Sequence, residues 1–503
     1  MRKLTTYLLL FVFAVGALGV MSACDNGNPS GEGNDTIVIM SGLRTFVLNP
    51  LTGGQDRTMM HAMFDTLVGH DRDGNIVPQL AYRWEYSEDG MQIYFFLRQD
   101  VLFHDGTQLT ADDVVYSYYM RAQDPRGAGF RSYFTTVDKV DDFTVVIQRA
   151  TPFANALAFI AGWGWIVPRH LHEPDPYAFN EQPVGSGPFR FIEIGSTGNA
   201  YFERFDDYFL YTPYFRYVVF RPNIDMSTAI IAMETGEIDF ITSSVLQSHV
   251  ELIERNPDLV VTTSPSSWSI EVMYMQGELL NNDLYLRRAI FYAVNRENAL
   301  IFGNEGIGTV ATELFPRQTM AQYANTVLPG VHDVERARYY LERSNYNGET
   351  IIFTIFTNAE KAQSIQADLR LVGINAEINM VDISAFSAMA RGEGFELTLT
   401  TIGISAFTVE HLLRFFRSED ASVGIHKSPS PEYDALVEMF MTVTDAQERG
   451  VMVIQAMEML RDRYVFIPLF DTTFSFAHRA EIVYDSPFAG ALGLFYVGRM
   501  RGR

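Results

Sequence analysis

A single cysteine, Cys24, occurs in the whole 503-residue chain, so no internal disulfide can brace the fold and no cysteine-based zinc site is available. The structure must be held by its hydrophobic core alone. Roughly 480 residues follow the first two dozen, and one core seldom grows beyond about 250–300 residues, so two or three lobes are expected.

The first residues carry a separate message. Arg2 and Lys3 precede an apolar run over 8–21, which ends at Ser22, Ala23 and Cys24. Basic, apolar and then small residues in that order are a secretory signal. A retained run of about 17–25 apolar residues spans a bilayer, but the small residues before the cysteine point to removal. Ser22-Ala23-Cys24 resembles the bacterial lipoprotein processing box, which implies cleavage before Cys24, a diacylglycerol on its thiol and further acylation of the new amino terminus. Residues 24–35 are then a polar, Gly- and Asn-rich tether with nothing to bury. Loss of Arg2 and Lys3 with the leader leaves 36 basic against 61 acidic residues, a formal charge of −25. Such a surface excludes nucleic acid as a partner, because phosphate binding depends on clustered Lys and Arg.

Beyond the tether, the pattern is mixed α/β. Thr36-Ile37-Val38-Ile39-Met40 reads as a buried strand, and a helix is expected over 56–68. Asp89-Gly90 between Trp84-Glu85-Tyr86 and the apolar run 93–97 predicts a hairpin. Thr110 followed by Asp113 predicts a capped helix start, with Val115, Tyr118, Tyr119 and Ala122 on one face. A helix from Asp283 places Leu286, Ala289, Ile290 and Ala293 in an apolar stripe, beside Arg287 and Arg288 read as exposed. Another runs from Asp333 through Ala337, Tyr340 and Leu341. The last long one opens at Asp445 and carries Val453, Ala456, Met457, Leu460 and Tyr464.

Several segments in order then look familiar. Gly74-Asn75-Ile76-Val77-Pro78, Val101-Leu102-Phe103-His104-Asp105-Gly106-Thr107 with Leu109-Thr110-Ala111-Asp112-Asp113, Gly185-Ser186-Gly187-Pro188-Phe189, Arg287-Arg288-Ala289-Ile290-Phe291-Tyr292-Ala293-Val294-Asn295-Arg296, and Ile365-Gln366-Ala367-Asp368-Leu369 resemble the bacterial extracellular solute-binding proteins of family 5. These are the receptors of oligopeptide, dipeptide and nickel type importers. The resemblance implies a periplasmic-binding-protein-like α/β fold, with two main α/β lobes joined by hinge strands and a third smaller α+β lobe inserted in the first. Lobe I would take 36–51, 182–267 and 478–503, inserted lobe II 52–181, and lobe III 268–477. Function would follow from closure, since a ligand touching both lobes favours the closed state by its differential affinity. Open α/β sheets place ligands beside the carboxyl ends of their strands.

The chemical-looking motifs have plainer readings. His104-Asp105-Gly106 is read as a turn rather than an acid–base pair. His170-Leu171-His172-Glu173 lacks the helical spacing of a zinc motif. Gly185-Ser186-Gly187 is too tight for a nucleophile elbow, whose glycines stand two residues either side of the serine. No Gly-rich loop ends in Lys-Ser or Lys-Thr, so this chain does not hydrolyse ATP. One departure from the family matters most. Peptide-binding members carry an aromatic stretch ending in Asp-Pro, whose aspartate clamps a peptide's ammonium group; here 400–410 reads Thr-Thr-Ile-Gly-Ile-Ser-Ala-Phe-Thr-Val-Glu. A buried ammonium without a carboxylate costs several kcal/mol, which puts that clamp in doubt. Glu410 is read as a helix-start carboxylate rather than a substitute. Ser405 and Thr408 offer neutral hydroxyls, and Phe407, Trp268 and Tyr274 flat apolar faces, a mixture suited to a peptide or an oligosaccharide. Arg44, Gln55 and Gln276 complete the candidate ligand-binding set.

The expectation is therefore a monomeric, non-enzymatic receptor without cofactor or metal, lipid-anchored on the outer side of the cytoplasmic membrane and serving an ABC permease. An exported hydrolase would need a paired acid and base or an activated nucleophile, and no segment carries one. A ligand sensor reporting to a membrane receptor is a further alternative.

Overall fold

The computed structural model describes residues 35–52, 56–71, 75–124, 130, 134–149, 156–243, 245–263, 269–316, 320, 323, 327–330, 332–391, 394–403, 409–414, 416–418, 430–443, 445–473, 475–484 and 496–502. The strand Thr36–Met40 lies inside a seven-stranded sheet, parallel to both of its neighbours, Tyr217–Arg221 and Phe240–Ile241. Its near-continuous apolar run follows from burial on both faces. Ile37 and Ile39 pack with Phe202, Phe220 and Phe240, while Met40 joins Ala229, Met233 and Ile241. Strands Leu259–Thr263 and Ser475–Arg479 close one side of this sheet, and Ala200–Arg204 and Phe189–Ile194 the other.

A six-stranded sheet has the order Thr309–Val310, Phe466–Thr472, Ser269–Met275, Leu397–Gly403, Ile351–Ile355, Ala376–Met380. Helices Leu284–Ala293, Arg296–Asn304 and Ala359–Val372 contribute Leu286, Ile290, Ala299, Ile365 and Leu369 to its core, with Phe353 and Ile467 from the strands. A separate four-stranded antiparallel sheet joins Ala81–Tyr86, Gln92–Leu97, Thr144–Arg149 and Phe134–Asp141. Its inward residues Ile93, Phe95, Val145 and Ile147 alternate with outward ones and pack with Val114 and Tyr118 of helix Ala111–Gln123. Among the described residues the apolar side chains gather in several separate clusters around these three sheets, as the size argument expects.

Local signals mostly find their expected places. Gly90 turns the hairpin at φ 67°. The Asp113 carboxylate accepts from the Thr110 N–H at 2.9 Å, and Asp283, Asp333 and Asp445 each cap a helix with their side chains. Where the fold differs, tertiary contacts explain it. The helix expected over 56–68 spans only Arg57–Met63. Phe64 is extended, Thr66 forms a bridge with Trp165, and Val68–His70 pairs with Ile76–Pro78, so sheet contacts end the apolar periodicity early. Arg287 is buried rather than exposed, donating from Nε to the Arg463 carbonyl at 2.7 Å and from Nη1 to the Asn281 carbonyl at 2.9 Å. Tyr464 stands outside the last long helix as its left-handed cap, φ 52°.

Candidate ligand cleft between two sheets

The two large sheets are linked by two crossings, and strand directions put both at the same edge of each sheet. Leu259–Thr263 leaves the first sheet at the carboxyl end shared with Thr36–Met40, and Ser269–Met275 enters the second beside the carboxyl end of Leu397–Gly403. Phe466–Thr472 returns beside it and re-enters the first sheet as Ser475–Arg479. Hydroxyl pairs close the ladders on either side: Thr263 with Ser475 at 2.9 Å, and Ser269 with Thr472. The carboxyl ends of Thr36–Met40, Tyr217–Arg221 and Phe240–Ile241 therefore lie toward the crossings on one side. Those of Ile351–Ile355, Ala376–Met380 and Leu397–Gly403 do so on the other. This is where α/β sheets present ligands.

On the first sheet's edge, the loop after Met40 is held by side chains. The Ser41 hydroxyl donates to Asp56 and accepts the Leu43 N–H at 3.0 Å, and the Leu43 carbonyl accepts from Asn223 N at 2.7 Å. Arg44 lies exposed in this loop. On the second sheet's edge there is a cavity of about 270 Å³, walled by Glu271, Lys361, Asn358, Thr400, Thr401 and Phe356 among others. Lys361 Nζ lies 2.5 Å from Glu271 Oε2 with its side chain 2% exposed, and the Thr401 hydroxyl donates to Glu271 Oε1.

The expected ligand residues divide. Tyr274 and Gln276 belong to the far half of Ser269–Met275 and the residue after it, away from the crossings, and both are buried. The Tyr274 ring packs against Phe416 and Phe466 within the core, and Gln276 is buried with its backbone N–H bonding the Glu396 carbonyl at 2.8 Å. Glu410 sits in the first turn of Val409–Arg414, where a carboxylate complements the helix dipole, and it also accepts from the Tyr323 hydroxyl at 2.7 Å. Gln55, Trp268, Ser405, Phe407, Thr408 and Cys24 lie outside the described residues. Reasoning from sequence did not single out Glu271 and Lys361, which the structure brings together at this cavity. Their signal was present, since Glu271 is a charge inside the apolar run Ser269–Met275, and Lys361 shares a helical face with Ile365 and Leu369.

The suspect motifs resolve into structure. Gly106 turns at φ 84°, and the Asp105 carboxylate accepts the Thr107 N–H at 3.0 Å. His104 and Gly185-Ser186-Gly187 meet, with His104 Nε2 2.9 Å from the Gly187 carbonyl. Asp105 does find a histidine, His170 at 2.8 Å, but on the surface. His172 points elsewhere, between the Tyr116 hydroxyl at 2.7 Å and Asn49 at 3.0 Å. Burial holds it neutral, down to about 4. Among the described residues, no group of three His, Cys, Asp or Glu is placed to hold a metal ion.

A second polar cluster ties the four-stranded sheet's region to the seven-stranded one. Asp65, fully buried, accepts from Gln79 Nε2 at 2.5 Å, Ser186 Oγ at 3.0 Å and the Tyr208 hydroxyl at 3.0 Å. Burial lifts it to about 7 in spite of these three donors. Gly187 N donates to the Met63 carbonyl at 2.8 Å, and a Cβ on Gly185 would stand 1.9 Å from that same oxygen. Only glycine lets these backbones approach so closely. The cluster serves packing: its hydroxyls and carboxylate bond one another.

Residues 75–423 match the family model described as "Bacterial extracellular solute-binding proteins, family 5 Middle". Among curated relatives, the glutathione-binding protein GsiB of Pectobacterium atrosepticum is 28% identical over 70% of this chain and 71% of its own length. The oligopeptide-binding protein AppA of Bacillus subtilis is 24% identical over 89% of this chain and 90% of its own length. Among solved structures, NikA from Brucella suis in complex with Fe(III)-EDTA superposes with a TM-score of 0.81 at 21% identity, covering 93% of this chain and 100% of its own. DppA from Helicobacter pylori in complex with the peptide STSA gives 0.78 at 23% identity, covering 93% and 98%. The fold is thus that of the periplasmic binding proteins, and with its model matched over most of its length, the chain belongs to the bacterial extracellular solute-binding proteins of family 5.

Proposed function

We propose that this chain is the solute-capturing subunit of an ABC importer, taking a small molecule of the peptide or oligosaccharide class and delivering it to the permease. The observation that carries this reading is the convergence of two sheets' carboxyl edges on a pair of crossings, in a chain of this family. Lobe I takes 36–51, 182–267 and the chain from Ser475 onward, three residues earlier than expected because Ser475–Arg479 is a strand of the first sheet, with lobe II 52–181 and lobe III from 268 to the crossing before Ser475. The candidate ligand-binding residues are Arg44, Gln55, Trp268, Tyr274, Gln276, Ser405, Phe407 and Thr408, of which Tyr274 and Gln276 are buried. The protein works without catalysis, as a monomer, and Cys24 carries a lipid that holds it by the 24–35 tether outside the cytoplasmic membrane. Relatives are named for glutathione, oligopeptides and nickel. The stretch 400–410 lacks the aspartate of the peptide clamp, which favours a ligand without an obligatory free ammonium.

A thermal-shift screen of di- and tripeptides, oligosaccharides, nickel chelates and haem tests the reading. A true ligand at 100 times its Kd stabilises by about 2.7 kcal/mol. Amine-blocked peptides are expected to shift melting as much as free ones; a clear preference for the free amine would refute loss of the clamp. Absence of any response across the screen would sink the receptor reading itself.

A further inference from the structure

We infer that the Glu271–Lys361 pair forms a charge-neutral subsite that selects an uncharged hydrogen-bond donor on the ligand, a carboxamide N–H or a hydroxyl. This rests on the receptor reading above and specifies the ligand chemistry of its cleft.

The cavity beside the pair measures about 270 Å³, room for one side chain or part of a sugar ring. It opens at the carboxyl ends of Ile351–Ile355 and Leu397–Gly403, the same edge from which both crossings depart. Its walls carry neutral polar groups from Asn358, Thr400 and Thr401 beside the exposed ring of Phe356. Charge enters only through the pair. Lys361 is the more buried of the two, 2% exposed, its ammonium 5.5 Å from the Phe470 ring centroid. A Cβ on Gly303 would come within 2.5 Å of Lys361 Cδ, so this glycine lets its helix pack directly against the lysine stem. Glu271 stands in front at 13% exposed, one oxygen on Lys361 and the other taking the Thr401 hydroxyl.

Each carboxylate oxygen has further lone-pair capacity. A ligand donor can therefore bond Glu271 without displacing Lys361. A ligand ammonium gains little, because the cation 2.5 Å behind the carboxylate already neutralises it. A ligand carboxylate meets Glu271 first and is repelled. Selection against both charges comes from one buried pair. Removing only the cation uncovers a full negative charge, and the preference then turns toward ammonium.

The test uses acetyl-Ala-X-Ala-amide peptides, with X serine, asparagine, aspartate or 2,3-diaminopropionate, titrated calorimetrically against the wild-type chain and two variants. Wild type is expected to bind the serine and asparagine peptides at least tenfold tighter than the two charged ones. Lys361→Met should raise the affinity for diaminopropionate at least tenfold relative to serine, and Glu271→Gln with Lys361→Met should erase that gain. Circular dichroism and melting identify folded variants. Should Lys361→Met not fold, the wild-type order decides alone. Equal affinities for charged and neutral peptides, or a folded Lys361→Met that keeps the wild-type order, overturn the subsite. So does a wild-type chain that binds some other solute and ignores all four peptides, while leaving the receptor reading standing.

Discussion

Acid should destabilise this protein well above the usual carboxylate range, because four histidines are buried neutral. Burial lowers His61 to about 3 and His70, His104 and His172 each to about 4. Unfolded, each titrates near 6.5. A histidine whose folded value is depressed contributes stability that is complete above about 6.5 and is lost as pH falls toward its folded value. Two acids act in the opposite sense. Burial raises Asp65 to about 7 and Asp239 to about 6, so both remain protonated in the folded chain where the unfolded chain has released its protons. Their contribution is complete below about 4 and fades as pH rises through 6 to 7. Near pH 5.5 the unfolded chain thus takes up almost four protons on these histidines, and the folded chain holds nearly two on the aspartates. The difference of about two protons gives a slope of about 2–3 kcal/mol per pH unit, with stability falling toward acid. Urea midpoints at pH 7.0, 6.0 and 5.0 at fixed ionic strength measure it. A midpoint at pH 5.0 equal to or above that at pH 7.0 would refute the assignment of these histidines as buried and neutral. Asp65→Asn removes one opposing group and is expected to steepen the dependence.

Three further outcomes follow from particular contacts. Gly185→Ala must push the Met63 carbonyl aside, and a loss of about 3 kcal/mol or more is expected in denaturant unfolding, at the upper end of overpacking costs. Asp283→Ala removes the cap on Leu286 N at 2.9 Å and leaves Asn345 N without its acceptor at 2.6 Å; about 2 kcal/mol should be lost, and a change under 0.5 kcal/mol would contradict the capping role. Labelled palmitate should enter the wild-type chain in an exporting bacterium and vanish with Cys24→Ser; equal labelling of both would end the lipid-anchor proposal.

Much of the architecture was legible because it is written in local chemistry. The buried strand at Thr36–Met40, the Asp89-Gly90 turn and the caps at Asp283, Asp333 and Asp445 depend on residues within a few positions of one another. So does the plain reading of His104-Asp105-Gly106. The family, too, was readable from motifs spread in order along the chain, although no one of them would have sufficed.

What periodicity could not supply was the surroundings of a side chain. Arg287 read as exposed because charge beside an apolar stripe usually faces water, yet carbonyls at Leu280, Asn281 and Arg463, up to 176 positions away, gather around it. Tyr274 read as a ligand face because an aromatic ring suits a pocket as well as a core, and only the approach of Phe416 and Phe466 decides between them. Glu271 and Lys361 are 90 positions apart, and nothing in either neighbourhood announces that they share a cavity. Sequence by itself determined which segments turn, cap and bury, since those choices rest on short-range sterics and the hydrophobic pattern. Only the tertiary structure decided which charges lose their water and whom they meet, because desolvation and pairing depend on everything packed around a group and not on its neighbours in the chain.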